Sequence, residues 1–171
     1  MNEPKFLKYI DGISRWIGVT TAWLMLVLVL ELVYDTVARY AFNAPTIWSF
    51  DISYMLYSLM FMLGGAYTLL DKEHIRVDMF YEKFSRRWKS IVNILGYLLF
   101  YFPVMAGMLY YGILFTNDSW QLLEHCTKSY WSPPVYHFKA LIPITAVLML
   151  LQGGAEFIRA ITGLMSKEEE L

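Results

Sequence analysis

Residues 52–70 read ISYMLYSLMFMLGGAYTLL and residues 90–117 read SIVNILGYLLFYFPVMAGMLYYGILFTN, and neither stretch contains Asp, Glu, Lys or Arg. Each can cross the hydrocarbon of a bilayer, which takes about 20 residues of helix. A soluble helix in a bundle keeps a charged stripe toward water, and these two have none. A closed barrel would need many alternating segments of about 10 residues, a period absent from this sequence. Two further apolar blocks flank the central pair. The chain is therefore expected to be an all-α integral membrane protein, one domain over residues 1–171, with four transmembrane helices over about 16–37, 52–70, 91–115 and 140–161.

Composition agrees, with 57% apolar and 18% aromatic residues but only 17% charged, against about a quarter charged in soluble chains. The net charge of −1 offers no basic groove, so nucleic acid is not an expected partner. A single cysteine, Cys126, excludes an internal disulfide. The first block follows Lys5, Lys8 and Arg15 as a signal peptide would. No small-x-small cleavage site follows Leu30, however, which predicts an uncleaved span.

Orientation follows from Lys and Arg near the span ends. The N-terminal tail, the second connection (Lys72, Arg76, Lys83, Arg86, Arg87, Lys89) and the C-terminal end (Arg159, Lys167) carry eleven; the first and third connections carry three, Arg39, Lys128 and Lys139. Both termini are therefore expected in the cytoplasm. Val77, Phe80, Phe84, Trp88 and Ile91 recur every three or four residues, with Lys83, Arg86 and Arg87 between them. That pattern fits an amphipathic segment between spans 2 and 3 lying on membrane lipids, or equally an extension of the third helix.

Catalytic chemistry is not apparent. No nucleotide loop or nucleophile motif occurs, so no catalytic, cofactor-binding or metal-binding residue is assigned and the chain is not read as an enzyme. His74 and Asp78 are four apart, near Asp71 and Glu73, which suits a salt-linked helix start better than a metal site with one histidine. None of the three histidines lies in a span, where a haem would need them. Glu31, in the outer half of the first span, is read as a helix–helix hydrogen bond or a partner contact ahead of a proton relay. Pro103 and Pro143 interrupt their spans, while Gly18 with Ala22 and Gly64 with Thr68 form small-xxx-small pairs suited to close helix approach.

Two strings carry a family resemblance. Arg39 to Asp51 reads RYAFNAPTIWSFD, and Lys72 to Asp78, after the second span, reads KEHIRVD. With four spans and both ends inside, the whole chain resembles the small membrane subunit of tripartite ATP-independent periplasmic (TRAP) transporters, the DctQ-like family. Arg39, Asn43 and Trp48 match the first motif, and His74, Arg76 and Asp78 the second. Asp51 stands where the family frequently carries Glu.

The resemblance implies a small scaffold subunit of a sodium-coupled importer of organic acids, in the cytoplasmic (inner) membrane of a bacterium or archaeon. Its partners would be a large permease subunit, which would hold substrate and sodium, and an extracytoplasmic substrate-binding protein. This chain itself would carry no cofactor. Trp120, Tyr130, Trp131, Tyr136 and Lys139, in and around the third connection, are the residue types expected of a docking surface for the binding protein, or of headgroup anchors. Two rival readings are an accessory subunit of another membrane complex and a stand-alone small channel or exchanger.

Overall fold

A charge-free apolar run in hydrocarbon must satisfy its backbone internally, and the helix does so within one segment. The computed structural model describes residues 5–71, 86–127 and 129–165. Helix α1 runs Lys5–Ala41 and α2 runs Ser49–Leu70. Helix α3, Arg86–Gly96, passes through a π-helical turn, Tyr97–Tyr101, into α4, Phe102–Gln121. A short α5, Tyr136–Lys139, precedes α6, Leu141–Met165. Four helices are long and apolar enough to cross a membrane: Lys5–Ala41, Ser49–Leu70, Ile91–Gln121 and Tyr136–Thr162. The all-α, four-span expectation holds. Val77, Phe80 and Phe84 of the expected amphipathic stripe lie outside the described residues.

Helix α6 is the hub. It packs against α1, α2, α3 and α4, while α1 and α2 pair along their lengths and α4 makes little or no contact with either of them. Burial follows: 39% of the apolar stretch of the last span is buried within the chain, against 11%, 11% and 6% for the other three in order. The helices thus form an open layer rather than a closed square bundle, and most of α1, α2 and α4 faces outward.

Polarity is distributed inside out. Among the described residues the buried set contains Ser14, Thr21, Ser49, Asp51, Ser119, Thr145, Gln152 and Glu156 beside Leu7, Ile10, Ala66, Leu69, Ala146, Met149 and Ala155. Phe, Trp and Leu side chains, among them Trp23, Leu30, Phe61 and Phe100, are exposed. Lipid is as apolar as leucine, so helix association gains most from small residues that allow close contact and from polar groups that bond across the seam.

Two glycines show this. A β-carbon on Gly18 would lie 2.3 Å from the Tyr67 ring, and one on Gly153 would lie 2.2 Å from the Tyr101 ring. Tyr101 uses that approach to donate its hydroxyl to the Met149 carbonyl at 2.7 Å. Gly64, by contrast, has open space where its side chain would be, and Thr68 donates to its carbonyl at 3.0 Å. The Gly18 position therefore seats a helix, whereas no described element covers Gly64. The π turn has a cause in Pro103, whose ring would clash with the carbonyl four residues back; widening the preceding turn relieves that clash, and the Phe102 N–H bonds to the Tyr97 carbonyl. Pro143 falls in the first turn of α6, where a missing N–H costs little.

Candidate functional site

The motif around the first connection folds into one corner. Helix α1 ends because Asn43 adopts a left-handed conformation, φ 54°, which asparagine tolerates better than most residues. The Ala44 N–H reaches back to the Ala38 carbonyl at 3.0 Å, and Pro45 cannot continue a helix. One turn back, Arg39 donates to Asp35 at 2.9 Å, and Thr46, beyond the corner, donates its hydroxyl to the other oxygen of Asp35. Trp48 stacks on Tyr34, with ring centroids 6.0 Å apart and planes 20° from parallel. Ser49 and Ser53, on successive turns of α2, both donate to Glu31. The helix–helix role expected of Glu31 is the one observed.

Asp51 faces the other way. In the first turn of α2 and 5% exposed, it accepts the Ser129 hydroxyl and lies 3.9 Å from the Cys126 sulfur. Its partners belong to the hairpin between α4 and α5, which closes through Cys126 N–H to the Pro133 carbonyl at 2.9 Å and Val135 N–H to the Glu124 carbonyl at 3.0 Å. Leu123 (φ 45°) and Ser132 (φ 47°) take left-handed conformations as this hairpin turns. At its base, Glu124 accepts from Lys139 and, at 2.7 Å, from Ser119. The Lys139 ammonium, foremost, and the Ser119 hydroxyl hold the Glu124 carboxyl below its ordinary value of 4.5, against a smaller opposing effect of desolvation.

The five residues expected to form a docking surface are gathered on this hairpin and its flanks but are not equally available. Tyr130 is 99% exposed, and Trp120 and Trp131 are also exposed. Tyr136 packs against Trp120 with centroids 5.1 Å apart. Lys139 is drawn inward, paired with Glu124 and 3.9 Å from the Phe115 ring centroid. His74, Arg76 and Asp78 of the second motif lie outside the described residues.

A second seam, toward the opposite end of the helices, was not singled out by sequence reasoning. Gln152, fully buried in α6, accepts the Ser14 hydroxyl at 2.8 Å and donates to Asp11 at 3.1 Å. Arg159 bridges Asp11 of α1 and Glu156 of its own helix. The available signal was Gln152 itself, a lone amide in an apolar run, with Asp11 and Ser14 three apart on one face of α1. Thr145 is the one buried side chain among the described residues whose polar atom has no hydrogen-bond partner. The described residues bring no three metal-ligating side chains together.

Comparison with known proteins gives two findings. The family model for the DctQ component of tripartite ATP-independent periplasmic transporters matches residues 28–163. The sialic acid TRAP transporter permease protein SiaT of Haemophilus influenzae (strain 86-028NP) is 24% identical over 158 residues, covering 91% of this chain and 23% of the relative. The chain thus spans less than a quarter of the length of that curated relative.

Proposed function

The chain belongs to the DctQ component family of tripartite ATP-independent periplasmic transporters, and from that premise we propose that it is the fixed, non-transporting subunit of a sodium-coupled importer of organic acids. It sits in the cytoplasmic membrane of a bacterium or archaeon with both termini inside. There it widens the scaffold beside a large permease subunit, which carries substrate and sodium. The exposed aromatics of the outer hairpin help seat an extracytoplasmic substrate-binding protein. The relative's name attaches sialic acid to that protein; sialic acid is an organic acid, which supports the substrate class without fixing the compound for this chain.

One observation carries the scaffold reading. Asp11, Glu31, Asp35, Asp51 and Glu156, the carboxyls on the helix seams, all accept hydrogen bonds from side chains of the same chain. An ion path through a membrane needs polar groups that face a cavity and exchange partners. Carboxyls engaged in joining helices make a wall instead. Reconstitution tests this: vesicles holding the chain alone should show no sodium-dependent uptake, and adding the large subunit and binding protein should restore it. Uptake by the chain alone would support the exchanger reading and defeat this one.

A further inference from the structure

The geometry points to a binding strip for anionic phospholipid headgroups on the first three turns of α1, formed by Lys5, Lys8 and Arg15 beside an exposed apolar flank. At 100° per residue, residues 5–16 divide into three faces. Leu7, Ile10, Asp11 and Ser14 point into the protein: Leu7 and Ile10 pack with Ala155, Asp11 is held by Arg159 and Gln152, and Ser14 by Gln152. Phe6, Tyr9, Ile13 and Trp16 form a second face, with exposures of 63%, 74%, 49% and 70%. Lys5, Lys8 and Arg15 form the third; all are exposed and have no carboxylate partner among the described residues. The one acid of this segment, Asp11, is already engaged by Arg159, so no acid among the described residues compensates the basic face.

Length places this segment at the membrane surface. At 1.5 Å per residue the 37 residues of α1 span about 55 Å, against about 30 Å of hydrocarbon. The unbroken apolar run begins near Trp16, so the preceding turns, about 16 Å of helix, fall in the headgroup layer. An aromatic flank at the acyl boundary next to long cations at phosphate height is how helices grip an anionic leaflet. Arg15 and the aromatics would also suit a protein partner, at whose interfaces lysine is depleted; the placement at headgroup depth is what favours lipid. The assignment rests on the cytoplasmic placement of the N-terminus proposed above, because that leaflet is the anionic one.

The test is native mass spectrometry of the full chain, purified from membranes with its partner attached and exposed to equal amounts of phosphatidylglycerol and phosphatidylcholine. Wild type should retain phosphatidylglycerol preferentially. Each single substitution, Lys5→Gln, Lys8→Gln or Arg15→Gln, should lower that preference a fewfold, and the triple variant by about tenfold or more. Lys128→Gln, in the connection between the third and fourth spans, should leave it intact. Undiminished preference in the triple variant overturns the proposal. So does loss of the protein partner with lipid retention unchanged, which would assign the strip to that partner. Glu168, Glu169 and Glu170 are acidic groups of this chain that could take the same cations; preference seen only after all three are changed to Gln also overturns it. Retention does not depend on orientation, so it can fail while the topology stands.

Discussion

The carboxyl of Asp51 accepts the hydroxyl of Ser129 from 78 residues away in sequence, tying the first turn of the second span to the hairpin between α4 and α5. With Cys126 alongside and Asp51 buried, this bond holds the exposed aromatics of the hairpin over α2. Asp51→Ala should leave the Ser129 hydroxyl without this acceptor at a cost of about 1–3 kcal/mol, visible as a lower melting temperature in detergent. It should also weaken uptake at limiting binding-protein concentration. Ser129→Ala should reproduce most of both effects. Asp51→Glu keeps the charge but adds a methylene to a filled site and should fall between wild type and Asp51→Ala.

Glu31→Gln separates structure from proton coupling. Glutamine has one carbonyl oxygen where glutamate offers two, so only one of the Ser49 and Ser53 bonds keeps its geometry. The expected loss is about 0.6–2 kcal/mol of stability, the range for bonds between membrane helices, with uptake largely retained in the assembled transporter. Abolished uptake with unchanged stability would identify Glu31 as a coupling group.

Tyr101 and Gly153 form a second measurable pair. A methyl on Gly153 would lie where the Tyr101 ring now sits, so Gly153→Ala should cost about 1–3 kcal/mol by overpacking. Tyr101→Phe should cost about 1 kcal/mol through its lost bond to the Met149 carbonyl. The two share one contact, so Gly153→Ala with Tyr101→Leu should cost less than the sum of the separate changes. Strict additivity would show that the contact has little energetic weight.

The spans were legible because hydrocarbon excludes charge, and a charge-free run can be read without knowing its neighbours. The motif marked Arg39, Asn43 and Trp48 by resemblance but not their contacts: Arg39 and Asn43 act within a few residues, on Asp35 and on the local backbone, while Trp48 reaches Tyr34, 14 residues back. Asp51 and Gln152 were harder. Each is one polar letter in an apolar context, and its partner is 78 or 138 residues distant, a pairing that only packed helices create. Lys139 shows the same limit. Read alone it is an outward cation, and only closure of the hairpin sets it against Glu124 and Phe115.

That closure should be sensitive to acid. Lys139 and then Ser119 hold the Glu124 carboxyl below 4.5 in the folded chain, so folding favours its ionised form. A depressed carboxyl contributes stability that is present above the unfolded value and is lost as pH falls through the folded value. Melting temperature measured from pH 7 downward should therefore stay level until below about 4.5 and then fall. Glu124→Gln and Lys139→Met should each start lower and lose part of that acid limb, the first because the carboxyl is gone and the second because the cation that depresses it is gone. Because the Glu124 side chain is 40% exposed, the effect should be small and should shrink with added salt. An acid limb of the same depth and position in all three proteins would place the acid-sensitive group elsewhere.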